Sequence, residues 1–384
     1  MKPLLILISF FIGIHTCFSQ LKGTIIGKLP QLAYSNGEDR LGSAKMGYID
    51  TGILLPIIDS ANELYQVQLS KNHSAFIDKR LIELKPDTAI RKTALTESWS
   101  VRGDESFDLV SISLSNKIAY KSFVETGPAR IVVDLYGVMS NTNWITQLQS
   151  VKEVRNIAFE QTEDDVVRVT ISLKHQQPWG YSIGYKGKSL QLKIKHFPAK
   201  QKIKNMVIAI DAGHGGTNTG ASGVTAGVLE KNYTLLFAKA LKKILQRKKT
   251  TVIMTRESDT TIDNKDRVLF LQQNWPDLFI SFHLNSSSRA TARGVSTYYK
   301  HVGYRPFTQA ILKRLLTIDD LKEFGNVGNF NFQPIQPTEF NSSLVEVAFL
   351  SSPEDEKMIL DEKFRKRVAK QVYKGIRDFL KKTK

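Results

Sequence analysis

The chain has 384 residues, of which 41% are hydrophobic, and its 54 Lys and Arg residues against 37 Asp and Glu residues give a formal net charge of +17. This length predicts two or three domains, each able to bury a core. The positive charge favours an anionic partner, such as an acidic wall polymer or a membrane surface. Nucleic acid is not expected as a partner, because the sequence has no basic stripe interleaved with aromatic residues and no recognised nucleic-acid-binding motif.

Residues 1–19 have the pattern of a secretory signal peptide. Lys2 precedes an apolar run over residues 4–14 that is too short to span a bilayer, and small residues follow near Ser19. We therefore expect an exported protein, either periplasmic or associated with the cell envelope. The chain's one cysteine, Cys17, lies in this segment, so the mature chain would have no disulfides. A lipid anchor on Cys17 is the alternative, and the residues before it disfavour that reading.

Residues 20–90 are predicted to form a small β-barrel-like domain, because short β-like runs alternate with turn signals. Residues 47–52, followed by residues 65–67, loosely resemble the Src-homology-3-like modules attached to bacterial wall enzymes. An unrelated small β domain is the alternative interpretation.

Residues 97–198 are predicted to form a second all-β domain. The segments 109–114, 131–135 and 166–171 alternate apolar and polar residues, which is typical of an antiparallel sheet with one solvated face. Residues 130–137, together with two later segments, 165–168 and 185–190, resemble the AMIN domain. That resemblance implies targeting to the envelope and binding of the wall, and no group of residues here suggests catalysis.

From residue 203 to 384 the pattern changes to strands that alternate with helices. Strands are predicted at residues 207–210, 251–255, 278–282, 294–299 and 344–348. Helices are predicted at residues 231–245, at residues 307–316 and around the closing apolar stripe from Phe364 to Phe379. The stretch 324–330 is rich in glycine and asparagine and predicts a loop. The alternation indicates an α/β domain with a largely parallel sheet flanked by helices, preceded by the two small all-β domains.

Four residues of this third domain could carry chemistry. His214 follows the first strand in a run of glycines that lets the chain turn sharply, and His283 follows the third strand. Glu230 opens the first helix, and Glu346 lies in a late strand. Ligands bind beyond the carboxyl ends of the strands in open α/β sheets, so both histidines are predicted to lie where a site is expected.

Two imidazoles and one carboxylate are the ligand set of a catalytic zinc ion, although their spacing is weak evidence because no H-E-x-x-H motif is present. Simpler explanations exist. The glycine run could bind a nucleotide, but Asn218 replaces the third glycine of the fingerprint. Glu230 could be a favourable first-turn charge. Glu346 is different, because a carboxylate within an apolar strand would be buried and would need a metal or a proton to exchange.

The third domain resembles the zinc-dependent N-acetylmuramoyl-L-alanine amidase family. The resemblance rests on five motifs that occur in the family's order, at residues 210–216, 230–231, 255–256, 281–285 and 345–355. It implies that His214, Glu230 and His283 bind Zn²⁺ and that Glu346 is the catalytic acid and base. Residues 347–348 are Val-Ala where the family more often has Leu-Gly, a departure that concerns packing and leaves the chemistry intact.

The activity that this resemblance implies is hydrolysis of peptidoglycan at the amide between N-acetylmuramic acid and L-alanine of the stem peptide. Two alternatives stay open at this point: a zinc peptidase that cuts within the stem or cross-link peptide, and a non-catalytic wall-binding protein. Envelope or division proteins are candidate partners of the N-terminal β domains. Some members of this family carry a long helical insertion between the second zinc histidine and the catalytic glutamate, and this insertion plugs the active site. The interval between His283 and Glu346 has little spare length for such an insertion, so we expect an open site.

Overall fold

The structure is a computed structural model that describes residues 21–37, 44–85, 93–289 and 291–383. The predicted signal peptide and Cys17 lie outside these described residues. Within them, no helix combines the length and the apolar character needed to cross a membrane.

The first unit consists of a single sheet of short strands. Its strands are β1 (Lys22–Ile25), β2 (Gln31–Ala33), β3 (Lys45–Tyr48), β4 (Leu54–Ala61), β5 (Leu64–Ser70), β6 (His73–Asp78) and β7 (Ile82–Leu84), with a 3-10 turn at Lys79–Leu81. The strand order is β3-β2-β6-β5-β4-β1-β7, and neighbouring strands are antiparallel. The all-β character of this region is thus present, whereas its likeness to a Src-homology-3 module stays a prediction.

The second unit contains two sheets. Its strands are β8 (Ala94–Gly103), β9 (Phe107–Leu114), β10 (Tyr120–Glu125), β11 (Arg130–Tyr136), β12 (Val138–Met139), β13 (Ile145–Gln147), β14 (Val154–Glu163), β15 (Val166–Leu173), β16 (Tyr181–Lys186) and β17 (Ser189–Lys195). One sheet has the order β10-β11-β15-β14, and the other has the order β12-β8-β9-β17-β16 with β13 beside β8. The strands pair antiparallel except that β12 and β13 run parallel to β8.

The predicted alternation of buried and solvated residues holds in one strand of this unit and fails in another. Every second residue of β9 is buried, as expected. In β11, six consecutive residues are buried, because the first unit contributes to the same hydrophobic core and the polar side chain of Asp134 is paired with Arg168 at 2.7 Å. The Tyr136 ring, for example, lies 5.1 Å from the His73 ring of the first unit.

The third unit is an α/β domain. Its elements are β18 (Val207–Ala212), α1 (Glu230–Arg247), β19 (Thr251–Met254), α2 (Asn264–Asn274), β20 (Leu278–Asn285), β21 (Val295–Tyr298), α3 (Arg305–Leu315), β22 (Glu323–Val327), β23 (Asn341–Phe349), α4 (Pro353–Leu360) and α5 (Glu362–Lys382), with 3-10 turns at Ile203–Asn205, Val302–Tyr304 and Gln333–Ile335. The sheet order is β19-β18-β20-β23-β21-β22. All neighbouring strands are parallel except β21 and β23, which are antiparallel.

Helices α1 and α5 cover one face of this sheet, and their apolar stripes explain why. Phe237 of α1 stacks near Phe282 of β20, with ring centroids 6.0 Å apart, and meets Phe364 of α5 edge-on at 6.3 Å. Each of these fully buried rings stabilises the fold by roughly 1.5–3 kcal/mol. The apolar side of α3 packs into the same core, so this helix covers the sheet as expected.

Three elements of this domain differ from the sequence expectations: the helices α2 and α4, which the sequence does not predict, and the strand β22. Helix α2 was not predicted, because its buried side includes the charged Arg267 beside Val268 and Leu271, which interrupts the apolar periodicity. The loop predicted at residues 324–330 is wrong over its first part, where β22 pairs with β21. β22 is the last strand of the sheet, and it has no buried residue to give an apolar pattern.

The second unit contacts the third at several points, of which the most buried is a short segment, residues 177–181. The Trp179 side chain is 2% exposed and belongs to the hydrophobic core of the α/β domain. Its ring stacks on Phe379 at 5.9 Å, and its Nε1 donates a hydrogen bond to Asp277 Oδ1 at 3.0 Å. The boundaries of the three predicted domains stay predictions, but the described residues place a buried contact between the last two.

Candidate metal centre

His214 stands immediately beyond β18, in a backbone conformation with φ of +60°. The preceding residue must be small, because a Cβ added to Gly213 would lie 2.3 Å from His283 Nε2. Two buried arginines bind the carbonyl oxygens of this turn. Arg256 donates to Ala212 O and Gly213 O, both at 2.9 Å, and Arg267 donates to Ala212 O at 2.9 Å and to His214 O at 2.6 Å. Charge-assisted hydrogen bonds from these two arginines therefore fix the backbone of the turn that carries His214.

Arg267 is itself held by Asp211, the last polar residue of β18. The two form a fully buried ion pair, and Asp211 also accepts hydrogen bonds from Ser281 Oγ at 2.6 Å and Thr255 Oγ1 at 2.5 Å. Burial alone would raise the pKa of Asp211, but the Arg267 guanidinium and the two hydroxyls outweigh it, so the pKa of this carboxyl lies below its usual value. Asp211 is thus an ionised anchor beneath the site.

Glu230 is the first residue of α1, and its carboxylate reaches both histidines. Glu230 Oε1 lies 3.1 Å from His214 Nε2 and 3.0 Å from His283 Nδ1, and it accepts a hydrogen bond from Leu284 N at 2.9 Å. Its Oε2 accepts from Ala221 N at 2.8 Å. Burial alone would raise the pKa of Glu230, but the contacts with the two imidazoles outweigh it and hold the pKa well below the usual range.

Asn218 fixes the orientation of the His214 ring. His214 Nδ1 lies 2.8 Å from Asn218 Oδ1, which also accepts from Gly220 N at 3.2 Å. Because this amide oxygen only accepts, His214 Nδ1 carries a proton and Nε2 faces the Glu230 carboxylate. His214 Nε2 and Glu230 Oε1 are then both acceptors, and at 3.1 Å they need a cation between them, either a proton or a metal ion. Without a metal, burial lowers the pKa of His214, but the contact with Glu230 outweighs it and raises the pKa.

These residues fit a metal ion. The ligand atoms of His214, Glu230 and His283 all lie within 4.8 Å of one another. The two closest separations, 3.0 Å and 3.1 Å, approach the edge of roughly 3.3 Å that a tetrahedral zinc site with bonds of about 2.0–2.1 Å requires. Asn218 beyond His214 is a partner of the kind that orients a metal-bound imidazole. The donor set therefore suits a divalent transition metal.

Glu346 lies directly beside this group. Its Cα is paired with that of His283 in the register of β20 and β23, and its Oε2 is buried and has no hydrogen-bond partner among the described residues. Burial raises the pKa of Glu346 well above its usual range, and the negative charge of Glu230 raises it further. Phe332 completes this side, with its ring edge-on to the His283 imidazole at 5.0 Å.

The structure thus brings together all four residues that the sequence singled out. Sequence reasoning missed Asp211 and Arg267 as the support of the His214 turn, and Asn218 as the partner of its ring. A polar residue at the end of a buried strand is the signal that could have revealed Asp211. Arg267 gave no signal of its own, because its partner is far away in the sequence.

Two family models match the chain. Residues 208–378 match the model described as N-acetylmuramoyl-L-alanine amidase, and residues 99–194 match the AMIN domain. The resemblances to the amidase family and to the AMIN domain are confirmed by these matches, whereas the loose likeness of residues 47–52 and 65–67 to a Src-homology-3-like module stays a prediction.

Among curated proteins, the chain is similar to the probable cell wall amidase LytH of Staphylococcus epidermidis, with 32% identity over 190 residues that cover 48% of this chain and 63% of the relative. The LytH protein of Staphylococcus aureus is 30% identical over 179 residues, which cover 46% of this chain and 60% of the relative. The chain therefore spans less than two thirds of the length of these relatives. Among solved structures, the catalytic domain of CwlV, an N-acetylmuramoyl-L-alanine amidase from Bacillus (Paenibacillus) polymyxa, is 33% identical over 46% of this chain and 98% of that chain, with a TM-score of 0.44.

Proposed function

We propose that this chain, in which residues 208–378 match the N-acetylmuramoyl-L-alanine amidase family, is a zinc-dependent hydrolase of bacterial peptidoglycan. The bond cleaved is the amide between the lactyl group of N-acetylmuramic acid and L-alanine of the stem peptide. The observation that carries the proposal is the convergence of His214, Glu230 and His283 on one point, with the unpartnered Glu346 carboxyl beside them.

His214, Glu230 and His283 would hold the zinc ion, with Asn218 keeping the His214 ring in position. When bound, zinc supplies a Lewis acid that polarises a carbonyl and lowers the pKa of water. The buried Asp211–Arg267 pair keeps the His214 turn in one conformation, so the ligand set is organised before the metal arrives.

Glu346 is the proposed catalytic acid and base. Water adds to the scissile carbonyl carbon and gives a proton to Glu346 Oε2. Glu346 then returns this proton to the alanine nitrogen as the C–N bond breaks, which leaves a lactyl carboxyl and a free amine. Glu346 Oε2 has no competing hydrogen bond and can therefore both accept and return this proton. Accepting it requires the ionised carboxylate, so the positive charge of the bound metal would have to lower the pKa that burial and Glu230 raise.

The two β units would hold the enzyme on its polymer. The match of residues 99–194 to the AMIN domain and the net charge of +17 support binding to an anionic cell wall. We place the protein outside the cytoplasm, in the periplasm or at the cell envelope, where peptidoglycan is its partner. Envelope or division proteins are further candidate partners of these units.

Digestion of purified peptidoglycan, with zinc and with a chelator, tests the proposal. Mass spectrometry should find stem peptides with a free L-alanine amine and muramic acid with a free lactyl carboxyl, and the chelator should abolish both. A Glu346→Gln variant is the matched control. New carboxyl groups within the peptide would instead identify a zinc peptidase, and wall binding without any product would identify a non-catalytic protein.

A further inference from the structure

One wall of the candidate metal centre is a long connection between β22 and β23, residues 328–340, here called the 328–340 segment. Its inner side is aromatic. The Phe332 ring contacts the His283 imidazole, with ring centroids 5.0 Å apart, and the Phe330 ring packs against Tyr298, with centroids 4.5 Å apart. Both rings join a small hydrophobic cluster that includes Phe340 and Phe279. The position of the His283 ring is therefore bounded by this segment as well as by its own strand.

The outer side of the 328–340 segment is bonded to the second unit. Tyr181 N donates to Thr338 O at 2.9 Å, and Thr338 Oγ1 donates to Tyr181 O at 2.7 Å. Beside them, the backbone of Gly180 lies against the segment so closely that an added Cβ would be 2.1 Å from Glu339 O. Gly180 has φ of +115°, a conformation that other residues rarely adopt. This junction requires glycine on both counts.

The first unit holds the same segment at two other points. Gln31 Nε2 donates to Gln336 Oε1, and Lys300 Nζ joins Asn331 Oδ1 at 2.9 Å to Lys45 O at 3.4 Å. Contacts from the α/β domain itself, such as His301 Nε2 to Gln336 O at 2.7 Å, complete the set. The segment is thus clamped by all three units.

We propose that the 328–340 segment positions His283 through Phe332, and that the two β units control this position by holding the outer side of the segment. The inference rests on the proposed zinc centre. It makes Phe332, Thr338 and Gly180 positioning residues, none of which is a metal ligand. Zinc affinity then depends on a contact made by the wall-binding half of the chain, so a change in how that half sits on the catalytic domain would be felt at the metal.

Two glycines of the second unit provide a matched test in the full-length chain. Gly187, in the hairpin between β16 and β17, also has positive φ, at +63°, but a Cβ added there would meet nothing within 4 Å. Gly187→Ala therefore places an alanine at positive φ in the same unit without touching the segment, whereas Gly180→Ala brings a side chain against it. Gly180→Ala also carries more backbone strain, because φ near +60° is open to other residues and φ near +115° is not, so the Thr338 pair below serves as the control without backbone strain. Zinc affinity is measured by competition with a chromophoric chelator, and circular dichroism verifies folding.

We expect Gly180→Ala to weaken zinc binding about tenfold, the lower end of the loss typical for partners outside the ligand set, and Gly187→Ala to leave it unchanged. The visible absorption of the cobalt-substituted protein should shift in Gly180→Ala alone, because it reports ligand geometry. Thr338→Val and Thr338→Ser form a second pair if Gly180→Ala fails to fold. Valine removes the hydroxyl that bonds Tyr181 O and should weaken zinc binding, whereas serine keeps the hydroxyl and should restore it.

Normal zinc affinity and an unchanged cobalt spectrum in both Gly180→Ala and Thr338→Val would overturn this inference and leave the proposed function standing. An equal loss in Gly180→Ala and Gly187→Ala would also overturn it, since strain anywhere in the second unit would then suffice. A wild-type chain that binds no zinc would instead overturn the zinc centre itself and this inference with it.

Discussion

Two segments face each other across the candidate metal centre, and they are held in different ways. The segment 211–230 supplies His214 and Glu230, and the α/β domain alone secures its polar anchors, through Arg256 and Arg267. The 328–340 segment faces His283, and it is secured in part by the two β units. The positions of His214 and Glu230 are therefore set by contacts within the α/β domain. The position of His283 also depends on contacts that the two β units make with the 328–340 segment.

The buried carboxyls of the two segments illustrate the same contrast. Asp211 is paired with a guanidinium, which keeps the pKa of its carboxyl below the usual value despite complete burial. Glu339 has no cationic partner among the described residues. Burial raises the pKa of its carboxyl to about 7, despite a hydrogen bond from Gln272 Nε2 at 2.8 Å and backbone hydrogen bonds that lower it. One segment is fixed by a buried charge pair, whereas the other carries a carboxyl that changes protonation near neutral pH.

The largest expected effect is the loss of a ligand from either side. Changing His214 or His283 to Ala should abolish stoichiometric zinc binding and hydrolysis, because two remaining ligands cannot hold the metal. Metal content measured after dialysis provides the readout, with circular dichroism to verify folding. A variant that keeps one zinc per chain would remove that histidine from the ligand set.

The second effect separates metal binding from proton transfer. Glu346→Gln should keep zinc and wall affinity but slow hydrolysis about 10²–10⁴-fold, because only the proton-transfer group is lost. Turnover of a soluble muropeptide and zinc content are measured on the same sample. Near-normal turnover in this variant would show that Glu346 is not the acid and base.

Much of the site could be predicted from the sequence, because each residue stands at a recognisable place in a local pattern. His214 follows an apolar run and sits among glycines, Glu230 begins an amphipathic helix, and Glu346 is a charge within an apolar strand. These signals need only a few neighbouring residues. Their meaning as a zinc site came from the order of the family motifs.

The remaining features depend on pairings that no local pattern contains. The buried Arg267 interrupts the apolar pattern of α2, and its partner, Asp211, is 56 residues away, so no local pattern indicates this helix. β22 has no buried side chain, so it resembles a loop until it pairs with β21. Trp179 belongs to the core of a domain that begins after it in the chain. Such docking between units is set by tertiary contacts that propensity and periodicity do not encode.

The third effect concerns the pH dependence of stability. The pKa of Glu339 is about 7 in the folded chain against 4.5 without burial, so the folded state holds this proton more tightly. Its contribution to the free energy of unfolding should be complete below pH of about 4.5 and should decline by roughly 3 kcal/mol as the pH rises to about 7.

Denaturant unfolding of the wild type and of Glu339→Gln, measured from pH 4.5 to 8, isolates this contribution. The difference between the two proteins should change with pH across this range and become constant above about pH 8, because glutamine does not titrate. A difference that does not vary with pH would mean that Glu339 titrates normally, and the contrast with Asp211 would then be lost.

The smallest expected effect tests the support of the first segment. Asn218→Ala removes the acceptor that holds His214 Nδ1, at 2.8 Å, and frees the ring to rotate. Loss of such a partner typically weakens metal binding by about 10–100-fold, so zinc should still bind, but with a lower affinity. Asn218→Asp keeps an acceptor at this position and serves as the matched control. We expect Asn218→Asp to retain most of the affinity in chelator competition. The losses of Asn218→Ala and Gly180→Ala should add in the double variant if the two segments act separately, although His214 and His283 share a contact with Glu230 Oε1. A double variant whose loss is far from the sum would show that the two sides of the centre are coupled, and the division drawn between them would have to be abandoned.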